Sequence, residues 1–161
     1  MPRIPRIYID NVCYHIMARG TQKNKVFMSS DDRSTYLELL LRAKRKYRIS
    51  VYAYCLMPNH VHLLVEPPEP YKISKFMHWL NRGYSTYFNV KYGKYGHLWQ
   101  GRFRSKPILK GDYLLQCASY IEANPIRSNL SNNLHEYHWS SYKERCTFGD
   151  MNILDGMKPS I

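Results

Sequence analysis

The sequence predicts an α+β domain: an antiparallel sheet of four strands, two long helices set between the strands, and a third helix after them. Three observations predict it. Short runs alternating apolar and polar residues recur between Val12 and Lys110, the period of half-buried strands. Two longer runs repeat apolar residues at three- and four-residue steps, the period of amphipathic helices. The 161 residues, 44% hydrophobic, hold no internal repeat and no glycine- or serine-rich linker, which makes 1–161 one domain.

The elements follow in order. Residues 1–10 carry Arg3 and Arg6 and form a basic amino-terminal arm. "VCYHIMARG", 12–20, alternates loosely and ends at Gly20, a first strand. The segment 29–48 opens with acids, places Tyr36, Leu37, Leu40, Leu41 and Tyr47 at helical spacing, and closes with cations, as helix termini prefer. "ISVYAYCLM" and "HVHLLVEP" are two strands joined across Pro58-Asn59, hence an antiparallel hairpin. Ile73, Phe76, Met77, Leu80, Tyr84, Tyr87 and Phe88 mark a second long helix that passes through Gly83. "RFRSKPILK", 102–110, is a fourth strand whose alternation puts Arg102, Arg104 and Lys106 on one face. Asp112 caps a third helix over 113–123, which stops near Asn124 because Pro125 disfavours helical geometry in the residue before it. Residues 143–161 are a tail. The order β-α-β-β-α-β is that of the ferredoxin-like, RRM-like split βαβ fold, with helices on one face of the sheet and the other face free for a ligand.

Composition narrows the function classes. The basic amino terminus has its apolar stretch interrupted by Asp10 and Asn11, and no later run approaches membrane-spanning length, so the expectation is a cytoplasmic protein with no membrane partner. The four cysteines stand far apart with no C-x-x-C pair, which fits neither a disulfide framework nor a zinc ribbon. The net charge is +12 and uneven: no acid lies between Glu69 and Asp112, where nine Lys and Arg are interleaved with ten aromatic residues. Cations for phosphates and flat rings for bases are what single-stranded nucleic acid binding requires.

Two small motifs carry the chemistry. On a strand, His60, His62, Leu64 and Glu66 share one face while Val61, Leu63 and Val65 share the other. On the third helix Tyr120 and Asn124 lie four residues apart, on the same side; of the fifteen tyrosines only Tyr120 has an amide, carboxylate or imidazole at that offset. Singly, each is ordinary: paired histidines are commonly surface polar groups, and a helical tyrosine commonly packs. Together, two neutral imidazoles and an amide oxygen form an open three-ligand site suited to Mn²⁺ and able to hold Mg²⁺. A phenol one turn away could then attack a phosphodiester. Glu66 is a candidate to orient an imidazole or assist the metal, and equally a strand-end surface charge.

"PNHVHLL" resembles the histidine-hydrophobic-histidine motif of the HUH endonucleases, and "YIEANPIRSNL" the tyrosine helix of single-tyrosine transposases. More narrowly, "MPRIPR", "YHIMARG", "YCLMPNHVHLLVEP", "LWQGRFRS", "YIEANPIR" and "WSSY" in this order are similar to the REP-associated tyrosine transposases, relatives of the small bacterial insertion-sequence transposases. The resemblance runs from about residue 1 to Tyr142. It implies His60, His62 and Asn124 as ligands of Mg²⁺ or Mn²⁺ and Tyr120 as nucleophile. It also implies cleavage of single-stranded DNA beside a hairpin or palindromic end through a 5′-phosphotyrosine, in a bacterial, nucleoid-associated setting. Insertion-sequence relatives often carry Gln where Asn124 stands, which favours the REP-associated branch and leaves monomer and homodimer both open. Arg3, Arg6, Arg102, Arg104 and Lys106 are the candidate DNA contacts. Three rivals stand beside this: a non-catalytic nucleic-acid module on the same fold, a metallohydrolase in which Tyr120 merely packs, and an inactive relative that still binds hairpins.

Overall fold

The computed structural model describes residues 4–147 and 153–157. Its elements are β1 (Cys13–Arg19), α1 (Ser30–Tyr47), β2 (Ser50–Met57), β3 (His60–Glu66), α2 (Lys72–Tyr92), β4 (Arg104–Ile108), α3 (Asp112–Glu122), α4 (Asn124–Arg127) and α5 (Ser141–Cys146). The four strands form one sheet in the order β2-β3-β1-β4, with every neighbouring pair antiparallel.

One face of the sheet is closed by α1 and α2. The Ser29 hydroxyl accepts from the Asp32 amide while the Asp32 carboxylate accepts from the Ser29 amide, a capping box that starts α1 where the acids predicted it. Asp32 is fully buried and also accepts from Tyr87 (2.9 Å), Tyr92 (2.6 Å) and Lys91 (2.8 Å), so the same side chain ties α1 to α2. Tyr14, Ile16, Val61, Leu63 and Val65 from the sheet meet Tyr36, Leu40, Phe76, Leu80 and Tyr84 from the helices in a single apolar cluster. A β-bulge between Val51 and Ala53 shifts the alternation of β2, so that Val51, Tyr54 and Leu56 all serve this core.

The core corrects the interleaved-aromatic expectation. Phe76, Tyr84, Phe88 and Trp99 are buried, and Trp79, Tyr87, Tyr92 and Phe103 pack against the core, leaving Tyr71 and Tyr95 as the exposed rings of the ten. Most of these rings therefore serve to hold α2 and its following loop in place.

The opposite face is not free, as the split βαβ pattern led one to expect. Leu114, Cys117, Ala118 and Ile121 of α3 pack on Cys13, Ala53, Cys55 and Leu64 of the sheet. Those sheet residues are apolar and need cover, which the apolar side of α3 supplies. The tyrosine helix is thereby laid across the strand that carries the histidines.

Both sheet edges are occupied. Along β2, the Leu56 amide donates to the Trp139 carbonyl (2.8 Å), the Tyr54 amide to Ser141 Oγ (2.9 Å) and the Val51 amide to Asp155 Oδ2 (2.9 Å). Ile153 is fully buried in the helix-side core and Lys44 pairs with Asp155 at 2.8 Å, so the described part of the segment expected to be a tail closes an edge. Along β4, the amino-terminal arm is pinned by Arg6, which donates to Ser105 Oγ (3.0 Å) and the Phe103 carbonyl (3.1 Å).

Candidate active site on the histidine face

The site begins with the β2–β3 turn. The Val26 amide donates to the Pro58 carbonyl (2.8 Å), and the Gly20 amide to the Asn59 carbonyl (2.8 Å). Gly20 is required there, because a Cβ would stand 2.3 Å from the Asn24 carbonyl oxygen and 2.9 Å from Val26 Cγ1. The turn is thus seated on the loop that follows β1, which sets where β3 starts and where His60 emerges.

His60 and His62 occupy alternate positions on β3, with ring centroids 4.9 Å apart. The Nδ1 of His60 faces Asn59 Oδ1 at 2.6 Å. The Nδ1 of His62 faces Nε2 of His15, on the neighbouring strand β1, at 2.9 Å. His62 is 5% exposed. Burial, then the neighbouring His60, His15 and Arg127, lowers its pKa to about 3. Burial, followed by Arg19, lowers His60, and burial, followed by Lys106, lowers His15. The three imidazoles are therefore neutral near pH 7, the form that can ligate a metal.

Tyr120 sits near the end of α3 with half its surface exposed, while Cys117, Ala118 and Ile121 are buried beneath it. Its ring meets that of His15 edge-on, centroids 6.2 Å apart. Arg127 of α4 lies over the Tyr120 ring, its Cζ 3.8 Å from the centroid, and donates to the Tyr120 carbonyl. Asn124 lies just beyond the end of α3, as the first residue of the short α4, and is buried. Its Nδ2 donates to the carbonyls of Ile121 (3.1 Å) and Tyr120 (3.4 Å), which leaves Oδ1 as the atom able to act as a ligand. Sequence reasoning missed His15 and Arg127. Arg127 is seven residues from Tyr120, two helical turns, a spacing that was available; His15 had no local signal.

The described arginine and lysine candidates fall into two groups. Arg104 and Lys106 are exposed on β4, pairing across to Met17 and His15, which places them on the histidine face. Arg102 lies before β4 begins and donates to the Ile4 carbonyl (3.0 Å), so it belongs with Arg6 to the clasp of the arm, not to the stripe predicted for the strand. Together with Asn81, Arg82, Trp99 and Phe103, these two arginines line a cleft of about 610 Å³ beside α2. Arg3 lies outside the described residues. Glu66 accepts from the Tyr52 hydroxyl and pairs with Lys110, about 13 Å along the strand from His62 by strand rise.

The residues fit a divalent cation in one specific way. Both β3 histidines meet a neighbour through Nδ1, with Nε2 outside those contacts, and Asn124 Oδ1 lies outside the bonds that its Nδ2 donates, so the donor types are two nitrogens and one oxygen. Among the described residues no three His, Cys, Asp or Glu side chains are gathered to hold a cation.

Comparison with known proteins bears on this arrangement. A family model described as an IS200-like transposase matches residues 8–124, a span that contains His15, His60, His62, Tyr120 and Asn124. Among solved structures, a REP-associated tyrosine transposase bound to a REP hairpin superposes with a TM-score of 0.74 at 16% identity, covering 100% of this chain and 99% of that one. A protein from Deinococcus radiodurans described as a transposase superposes with a TM-score of 0.51 at 20% identity, covering 75% of this chain and 96% of that one. At such identities the likeness is one of fold. No curated protein sequence matches the chain.

Proposed function

Given that the chain belongs to the IS200-like transposase family, we propose that it cleaves and rejoins single-stranded DNA next to hairpin ends, with Tyr120 as the nucleophile. The observation that carries this is the placement of Tyr120: a half-exposed phenol on a helix whose other face is buried on the sheet, edge-on to His15, which in turn is bonded to His62. The fold neighbour held a REP hairpin, and a short DNA hairpin with a single-stranded flank is the partner we assign to this chain.

In the cleavage step the Tyr120 hydroxyl oxygen attacks the scissile phosphorus and gives up its proton. The new O–P bond replaces the P–O3′ bond, the upstream strand leaves as a protonated 3′-OH, and the downstream strand stays joined through its 5′-phosphate. A later 3′-OH reverses the exchange, so rejoining needs no outside energy source. Mg²⁺ or Mn²⁺ held by His60, His62 and Asn124 would polarise the scissile phosphate. Arg127, stacked on the Tyr120 ring, holds the phenol against the sheet, and Arg104 and Lys106 offer cations to the phosphates of a strand crossing the histidine face.

The test mixes wild-type protein and Tyr120→Phe with 5′- and 3′-labelled hairpin oligonucleotides, with Mn²⁺ or a chelator, on a denaturing protein gel. A metal-dependent adduct carrying the downstream DNA and absent from Tyr120→Phe is the expected result. Cleavage without an adduct would replace it with hydrolysis by a metal-activated water. Binding with neither would leave a hairpin-binding module.

A further inference from the structure

We propose that His15 is a positioning residue for this site: by accepting the Nδ1 proton of His62 it selects the tautomer in which the His62 Nε2 lone pair is free to ligate. The inference rests on the metal-binding reading above and extends it to a residue on a different strand.

The argument is one of proton count. His15 Nε2 and His62 Nδ1 are 2.9 Å apart, a hydrogen-bond distance, so one of the two nitrogens carries the proton and the other accepts it. If His15 donated, a neutral His62 would carry its own proton on Nε2 and have no lone pair there. If His15 accepts, His62 is protonated on Nδ1 and presents Nε2. The neighbouring histidine has the same arrangement by a different partner: His60 Nδ1 faces Asn59 Oδ1, a carbonyl oxygen that can only accept. Both β3 imidazoles thus have an acceptor against Nδ1, and both keep Nε2. His15 is placed for this by register, since it pairs with Leu64 on β3 and Lys106 on β4, one diagonal step from His62 on the same face. It is not a third ligand, because its Nε2 is spent on His62 and no three-histidine set is gathered among the described residues. The edge-on contact with Tyr120 means the same ring also limits where the phenol can swing.

The experiment uses the DNA-free full chain and Mn²⁺ as the probe. Titration calorimetry on the wild type, His15→Ala and His15→Gln gives affinity; long-range ¹H–¹⁵N spectra of the histidine rings, recorded without metal, give the His62 tautomer. We expect His15→Ala to weaken Mn²⁺ binding by about 10- to 100-fold. His15→Gln, whose Oε1 can accept in place of Nε2, should recover most of it, with a wild-type His62 protonated on Nδ1. Equal affinity in wild type and His15→Ala overturns the inference, as does a wild-type His62 protonated on Nε2, or pulsed EPR showing three imidazole nitrogens on Mn²⁺. The Tyr120 adduct is a separate readout: its formation with Nε2-protonated His62 sinks this inference alone. A wild type that binds no Mn²⁺ sinks the inference and the metal site together.

Discussion

The two faces of β3 differ in what they touch. Val61, Leu63 and Val65 are fully buried against α1 and α2 in a cluster of aliphatic and aromatic side chains. Their alternates His60 and His62 face a polar pocket of imidazoles, the Tyr120 ring and the cations of Arg19 and Arg127. One strand, with a pleat of period two, serves the core on one side and, in the proposed reaction, the chemistry on the other. The lesson is that the chemical face is precise because the other face is rigid: the histidines inherit their position from packing they do not take part in.

The comparison breaks most sharply on exchanging neighbours in the strand. Leu63→Ala should cost about 2–5 kcal/mol in urea unfolding, the range for a large-to-small change in a full core, while the folded fraction still forms the Tyr120 adduct. His62→Ala should cost only about 1–3 kcal/mol, the worth of a lost buried partner, yet abolish the metal-dependent adduct. Comparable loss of activity in both variants would erase the division of labour. Next comes Gly20→Ala, which forces a Cβ against Asn24 and Val26 beneath the β2–β3 turn and should cost about 1–3 kcal/mol as strain. Because the turn seats His60, adduct yield should fall further than the stability loss explains.

On the helix-bearing face acid acts through Asp32. Burial by itself would raise the Asp32 carboxyl, but hydrogen bonds from Lys91, Tyr92, the Met28 amide and Tyr87 outweigh it and hold the group well below the ordinary carboxylate range. A carboxyl depressed in the folded state adds stability above its unfolded pKa, about 3.9, and loses it as pH falls toward the folded value. Asp32→Asn should therefore be less stable than wild type at neutral pH and show a shallower decline below pH 4, read by thermal melts across pH. Identical acid limbs would remove Asp32 from the account. The smallest effect belongs to the rim of the chemical face: Arg104→Ala and Lys106→Ala should each reduce the slope of log affinity against log salt by about 1 for a hairpin oligonucleotide if each meets a phosphate. Unchanged slopes would move the DNA path off β4, toward the cleft lined by Arg6, Arg82 and Arg102.

What the sequence determined by itself is what local periodicity encodes. Strand alternation put His60 and His62 on the face opposite Val61 and Leu63; helical steps marked α1 and α2; and the order of elements specified a split βαβ sheet, matched by the fold of the REP-associated transposase, although Asn124 and Pro125, expected to stop the third helix, open the short helix α4. What only the tertiary structure decided is which of these local pieces meet. His15 reaches His62 because β1 lies beside β3, a pairing of residues 47 positions apart. The rings of α2 turned inward because α1 and the sheet offered them an apolar surface, the face opposite was covered because α3 and the sheet both had apolar area to bury, and Ile153 returned to the core from a segment with no strong pattern of its own. Burial free energy depends on the area two segments remove from water together, and that quantity belongs to the pair and not to either stretch of sequence.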